Sequence, residues 1–563
     1  MRLTRTSDLW WKDAVVYCLD VETYQDSDGD GCGDFAGLTQ RIDHLDRLGV
    51  TCVWLMPFYP TRERDDGYDI TDFYAVDPRL GTLGDFTEFV RTARDRGIRV
   101  IADLVVNHTS EHHPWFEDAR SSRDSAYRDW YVWRDEPPED GPHDVVFPDA
   151  ETSVWEYDEG TEQYYMHRFY KQQPDLNVAN PEVRDEIARI MGFWTQLGLS
   201  GFRVDAVPFL LETDGQPDEL PDPHEYLADL RAFLGRRDGE SILLGEVNLP
   251  YEDTARFFGE PGTSRGDELT MCFDFIGMQQ MYLSMARGDA TPLAQALRDR
   301  PEPPKDAHWA TFVRNHDELT LDKLSDDERA EVFAAFGPEK DMQLYDRGLR
   351  RRLPPMVDGD RRRTDLAYSL LFTLPGTPVL FYGEEIGMGE NLAAEGRQAV
   401  RTPMQWTGDD KAGFSTADPA DYPNPLVEGE FGPAKVNVHD QRQDSGSQLA
   451  CVRRLVECYR ESPELAWGAH EILPAGDDAV LAHLSSTGDG AVLALHNFAD
   501  RRVTAVTEAS RLPAGTVLTD LLGKDDVTVG EDDGKVRVEL EPYGYRWLRV
   551  STPLDDPARA TAD

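Results

Sequence analysis

The chain has 563 residues, 40% of them hydrophobic, with 12 Trp, which is apolar material for two or three domains around one large core. Its 58 Lys and Arg against 106 Asp and Glu leave a formal net charge of −48, which excludes nucleic acid and anionic membranes as natural partners. No run approaches the roughly 18 apolar residues of a membrane span. The acidic residues are scattered as a solvated skin, which fits a salt-loving cytoplasm or an acidic mesophilic enzyme; in the first case activity needs high salt. The six cysteines form no CxxC pair and read as reduced thiols of a cytoplasmic protein. Met1 to Trp10 lacks the apolar stretch of a signal peptide. The sequence leaves a monomer and a homo-oligomer equally open.

Eight short apolar runs recur between amphipathic stretches: Val15 to Leu19, Val50 to Met56, Arg99 to Val105, Gly201 to Asp205, Ser241 to Glu246, Met271 to Phe275, Trp309 to Arg314 and Pro378 to Tyr382. Helices intervene, such as Phe86 to Arg96 and Pro181 to Leu197, the latter opened by Asn180 as cap and Pro181 in the first turn. Strands buried on both faces and alternating with helices pair in parallel, and eight of them predict an α/β fold, a closed (β/α)8 TIM barrel.

The first strand leads into Asp26-Ser27-Asp28-Gly29-Asp30-Gly31-Cys32-Gly33-Asp34, carboxylates at alternating positions with glycines for a tight turn. Oxygen ligands at flexible spacing suit Ca²⁺, held by Asp26, Asp28, Asp30, Asp34 and the Cys32 carbonyl. A solvated acidic turn is the plainer reading of the same residues. The long polar and aromatic stretch 108–177 after the third strand predicts an inserted subdomain. The barrel then occupies 1–107 and 178–466, with a charged insertion at 318–363 that looks helical. Alternating strands over 467–552 predict a C-terminal β-sandwich, and 553–563 a tail.

Active sites of such barrels gather at the C-terminal ends of the strands. There the fourth strand ends in Arg203-Val204-Asp205, the fifth in Glu246 and the seventh in His316-Asp317. Glycosidic cleavage needs one carboxyl ionised to attack the anomeric carbon and another protonated to release the leaving oxygen. Asp205 and Glu246 suit those roles. Arg203 lies two residues from Asp205 on the same strand face, and Asp317 adds a like charge that raises the pKa of the acid.

These residues sit in four segments: Asp103-Leu104-Val105-Val106-Asn107-His108, Gly201-Phe202-Arg203-Val204-Asp205, Gly245-Glu246-Val247-Asn248 and Arg314-Asn315-His316-Asp317. The set is similar to the signature regions of the α-amylase family, glycoside hydrolase family 13, and the likeness runs from about Trp10 to Trp406 and on towards the end. It implies Asp205 as nucleophile, Glu246 as acid/base and Asp317 as third acid, with His108, Arg203 and His316 lining the sugar pocket. Asp65-Asp66-Gly67-Tyr68-Asp69 resembles the segment whose Asp and Tyr, here Asp65 and Tyr68, close that pocket. Arg401-Thr402-Pro403-Met404-Gln405-Trp406 resembles the motif of α-glucosidases and trehalose synthases whose arginine reaches it.

A closed pocket implies short substrates: maltose isomerised to trehalose through a glucosyl-aspartate, or maltose and other small α-glucosides hydrolysed. Trehalose synthases usually read Ala-Glu-Ala-Asn-Gln where this chain reads Gly245-Glu246-Val247-Asn248-Leu249, a departure on the aglycone side. The resemblance also implies a second calcium site from Asn107, Asp175, Glu212 and the carbonyls of Phe209 and Leu210. No organic cofactor is implied.

Overall fold

Eight parallel strands close into a barrel in a computed structural model that describes residues 7–137, 145–148, 150–212, 222–259, 266–508, 514–530 and 534–550. They are β1 (Val16–Leu19), β2 (Cys52–Leu55), β3 (Arg99–Leu104), β4 (Gly201–Val204), β5 (Ile242–Gly245), β6 (Met271–Phe273), β7 (His308–Phe312) and β8 (Thr377–Phe381). Each neighbours its successor except that β8 returns to β1, so the ring runs in sequence order. Register is parallel throughout, for example Val16 beside both Cys52 and Val379. All eight fall on the apolar runs expected from the sequence, because strands covered on both faces must be apolar on both faces.

Capping places the helices. Asn180 accepts the Glu182 N–H at 2.9 Å to open Pro181–Leu197, and Gly198 closes it in the left-handed region at φ 112°. Thr82 and Asp85 form a reciprocal capping box on Leu83–Asp95.

Within 108–177 three short strands, Trp133–Arg134, Gln163–Met166 and Trp155–Asp158, pair antiparallel over buried Val132, Val154, Trp155 and Met166. The segment 318–363 is not simply helical. It carries the helix Asp326–Phe336, but also a small sheet of Leu319–Thr320, Gly348–Leu349 and Gln343–Leu344, whose two-residue strands are too short to show alternation in sequence. From Ala469 to Val550 the chain forms a six-stranded sheet and a two-stranded one around a separate apolar cluster. The range 553–563 lies outside the described residues. Among the described residues no helix is long and apolar enough to cross a membrane, and all six cysteines are free.

Candidate active site

Strand ends deliver the reacting groups. Arg203, the inward side chain near the end of β4, is 1% exposed and lies 5.3 Å over the Trp54 ring of β2. Its Nη1 donates to Asp103 Oδ1 at 2.8 Å and to Asp205, and its Nη2 pairs with Glu246 Oε2 at 2.9 Å. One guanidinium thus organises three carboxylates from β3, β4 and β5. After Asp205 the chain turns at Ala206, a non-glycine residue at φ 49°, ψ 42°, which aims the Ala206 N–H at Glu246 Oε2, 3.1 Å away. Left-handed backbone at a residue with a Cβ costs energy and is retained where a site needs the turn.

Burial pushes the Glu246 carboxyl up to about 7; Arg203 opposes the shift, and the negative charges of Asp205 and Asp317 add to it. The 23% of its side chain open to the mouth moderates the effect of burial. Asp317 goes the other way. Burial works against its ionisation, but the guanidiniums of Arg397, Arg401 and Arg203 outweigh burial and hold its carboxyl well below the usual range. Arg397 Nη1 lies 2.9 Å and Arg401 Nη2 3.1 Å from its Oδ1. Two acids at the ends of β5 and β7 are therefore driven apart in pKa by different surroundings.

The other expected pocket residues gather here as well. Tyr68 stacks on His316 with ring centroids 5.7 Å apart, and its hydroxyl lies 2.6 Å from His316 Nε2 and 3.2 Å from Asp103 Oδ2. His108 faces the Tyr68 carbonyl through Nε2 at 3.2 Å. Burial lowers the pKa of both imidazoles, so they stand neutral at pH 7. Asp65 takes a 2.7 Å bond from Gln173. Arg401 reaches Asp317 and the His316 carbonyl oxygen, and also Asp66 at 2.5 Å. Its segment is fastened by Arg352, whose guanidinium donates to the carbonyls of Val400 and Tyr382. Asp65, Tyr68, His108, Asp205, Glu246, Asp317 and Arg397 line a pocket of about 500 Å³, while Arg203, His316 and Arg401, expected to line it, are buried behind that wall.

Asp103, Asp66 and Arg397 were not among the expected site residues. Asp103 carried a signal: a lone carboxylate inside an apolar strand has to find a partner. Asp66 lies in a turn and Arg397 in the short 3-10 helix Gly396–Val400, both too brief for spacing to carry orientation.

In the loop after β1, carboxylate oxygens of Asp26, Asp28 and Asp34 lie within 4.8 Å of one another. Asp26 gathers the N–H groups of Asp28, Gly29 and Gly31, while Asp34 accepts from Ser27 and caps Phe35–Leu48 through Gly37. This convergence fits a hard cation. Asp30 is exposed and outside the group, its Oδ1 taking the Cys32 N–H at 2.8 Å.

The second set is arranged around an arginine. Arg168 Nη1 pairs with Glu212 at 2.9 Å, and its N–H donates to Asp175, which also accepts from Asn107 at 3.3 Å. Phe209 and Leu210 lie in the short helix Val207–Leu211 beside it.

Residues 21–335 and 350–468 match the family described as alpha amylase, catalytic domain, and residues 490–549 match the sucrose hydrolase-like C-terminal domain. The chain is 40% identical over 557 residues to the trehalose synthase/amylase TreS of Mycobacterium tuberculosis, a match covering 96% of this chain and 90% of that protein. It is 42% identical over 545 residues to the trehalose synthase of Thermus thermophilus, covering 95% of this chain and 55% of that longer one. Among solved structures, the α-amylase from H. orenii superposes with a TM-score of 0.76 at 27% identity, covering 96% of this chain and 99% of that one. The chain belongs to the α-amylase family, and the match runs through the barrel that carries Asp205, Glu246 and Asp317.

Proposed function

We propose that this enzyme isomerises maltose to trehalose by double displacement at Asp205 and Glu246. The observation that carries the chemistry is the shared guanidinium: Asp205 and Glu246 are bound to the terminal nitrogens of Arg203, which keeps the two carboxyls close, as a retaining pair requires. Asp205 attacks the anomeric carbon while Glu246 gives its proton to the glycosidic oxygen. A glucosyl ester forms and a free glucose remains in the pocket. That glucose turns, Glu246 takes the proton from its anomeric hydroxyl, and the new C–O bond forms as the ester to Asp205 breaks. Asp317, held ionised by Arg397 and Arg401, binds ring hydroxyls of the reacting glucose, with Asp65, Tyr68 and His108 around it and His316 behind Tyr68. The trehalose synthase relatives, matched over nearly the whole chain, support the isomerase outcome over hydrolysis.

Calcium is proposed as a structural ion on Asp26, Asp28 and Asp34, where its two positive charges would offset the repulsion among three carboxylates and brace the start of Phe35–Leu48. At Asp175 and Glu212 the Arg168 guanidinium already supplies positive charge, so the calcium proposal is confined to the first loop.

The test is incubation of the purified protein with maltose, quantifying trehalose and glucose over time against Asp205→Ala. Trehalose as main product supports the isomerase. Glucose alone would make the enzyme an α-glucosidase, and equal turnover by Asp205→Ala would remove Asp205 from the mechanism.

A further inference from the structure

Between the barrel and its helices lies a buried cluster of donors that the cleavage site does not use. The helix Phe275–Arg287 packs on β7 from outside the ring, and Arg361–Thr373 packs on the neighbouring β8. Arg314, two residues beyond the end of β7, and Arg352 bring two guanidiniums to the Phe381 ring at the end of β8, their Cζ atoms 5.8 and 4.6 Å from its centre. Both arginines are 1% exposed. Every hydrogen bond the two guanidiniums make among the described residues goes to a backbone carbonyl: Arg314 Nη2 to Asp317 at 2.6 Å, and Arg352 to Tyr382 and Val400.

Arg314 Nε and Nη1 have no partner among the described residues, and the same holds for the hydroxyls of Tyr282 and Tyr368 and for Glu384 Oε1, all of them buried. Together with Arg352 these side chains lie close enough to act on one another's charge. Glu384 is a poor counter-charge: its Oε2 accepts the Phe381 N–H at 2.8 Å, and burial pushes its pKa up to about 8, so at pH 7 Oε1 is one more donor. Burial and the like charge of Arg352 lower Arg314 to about 10. A buried guanidinium without a counter-ion is costly. Water would bring two hydrogens of its own to a shell short of acceptors, whereas an anion only accepts.

We propose that this cluster binds a small monovalent anion of the halide type, chloride in ordinary salt, held by Arg314 and the hydroxyls of Tyr282 and Tyr368. The site lies outside the ring of strands and apart from the sugar pocket, whose lining includes none of the three. Arg314 also holds the Asp317 carbonyl, so the ion braces the segment that carries the third acid.

The test measures thermal unfolding at fixed ionic strength while sodium chloride replaces sodium gluconate, whose anion is too large for a buried site. The wild-type Tm rises saturably with chloride. Surface effects of the two salts act alike on wild type and on the double variant Tyr282→Phe, Tyr368→Phe, which deletes two hydroxyl donors. Its half-saturating chloride is at least about tenfold higher, the size expected for two hydrogen bonds to an ion. Tyr282→Phe alone, with a rise of at least about threefold, serves should the double variant fail to fold. Crystals grown in bromide show an anomalous peak beside Arg314. The same chloride dependence of Tm in wild type and variant overturns the proposal, and so does a bromide crystal with only water at Arg314.

Discussion

Arg203→Lys probes the centre of the site. The guanidinium holds Asp103, Asp205 and Glu246 at once, through two terminal nitrogens in one plane. An ammonium is a point charge on a shorter reach and cannot serve three carboxylates in that geometry. Losing two charge-assisted bonds of about 1.5–3 kcal/mol each removes about 3–6 kcal/mol of organisation. If those contacts serve the transition state, kcat/KM for maltose falls by about 10²–10⁴. The pH profile moves too. Arg203 is the charge that opposes the effect of burial on Glu246, so a weaker partner lets the Glu246 pKa rise from about 7 and shifts the alkaline limb upward. Initial rates on maltose from neutral to alkaline pH, with thermal unfolding measured in parallel, read both effects. A kcat/KM within about threefold of wild type, with an unmoved alkaline limb, would refute the view that one guanidinium organises the acids.

In the wild type, kcat/KM should decline on the alkaline side through a pKa of about 7, because Glu246 must hold its proton to act as general acid; a flat profile to higher pH would count against that role. His483 lies in the face of the C-terminal sheet buried on the barrel, stacked on His496 at 5.8 Å with neither ring nitrogen partnered, and burial pushes its pKa down to about 4. Its folded pKa is below the unfolded value of 6.5, so its stabilising share is complete above pH 6.5 and is lost as pH falls towards 4, at most about 3 kcal/mol. His483→Phe should flatten the fall of Tm between those values, and an unchanged slope would remove His483 as the cause. Chelation should lower the Tm of the wild type, and Asp28→Asn, which leaves the helix cap at Asp34 intact, should lose much of that response; an unchanged Tm on chelation would leave the loop as an acidic turn.

Much of the architecture is legible locally. The eight strands announce themselves as apolar runs because burial on both faces removes polar choices, and Asn180-Pro181 marks a helix start because the first N–H groups need an acceptor. Asp205, Glu246 and Asp317 stand out because a barrel brings strand ends to one mouth whatever the loops do. The segment 318–363 was not legible in the same way: a two-residue strand such as Gly348–Leu349 has no period to detect, and its pairing with Leu319–Thr320 depends on the chain returning there.

The sequence by itself determined the ring of strands, the carboxylates at its mouth and the acidic loop after the first strand, since each is a pattern written in neighbouring residues. Only the tertiary structure decided the partners. Arg203 meets Asp103 from 100 residues away, Arg401 meets Asp66 across 335, and Asn248 meets Asp322 across 74 because β5 and β7 lie near one another in the closed ring. Those contacts depend on how the barrel closes and how its loops fold over the mouth, and they set which carboxyl keeps its proton and which loses it.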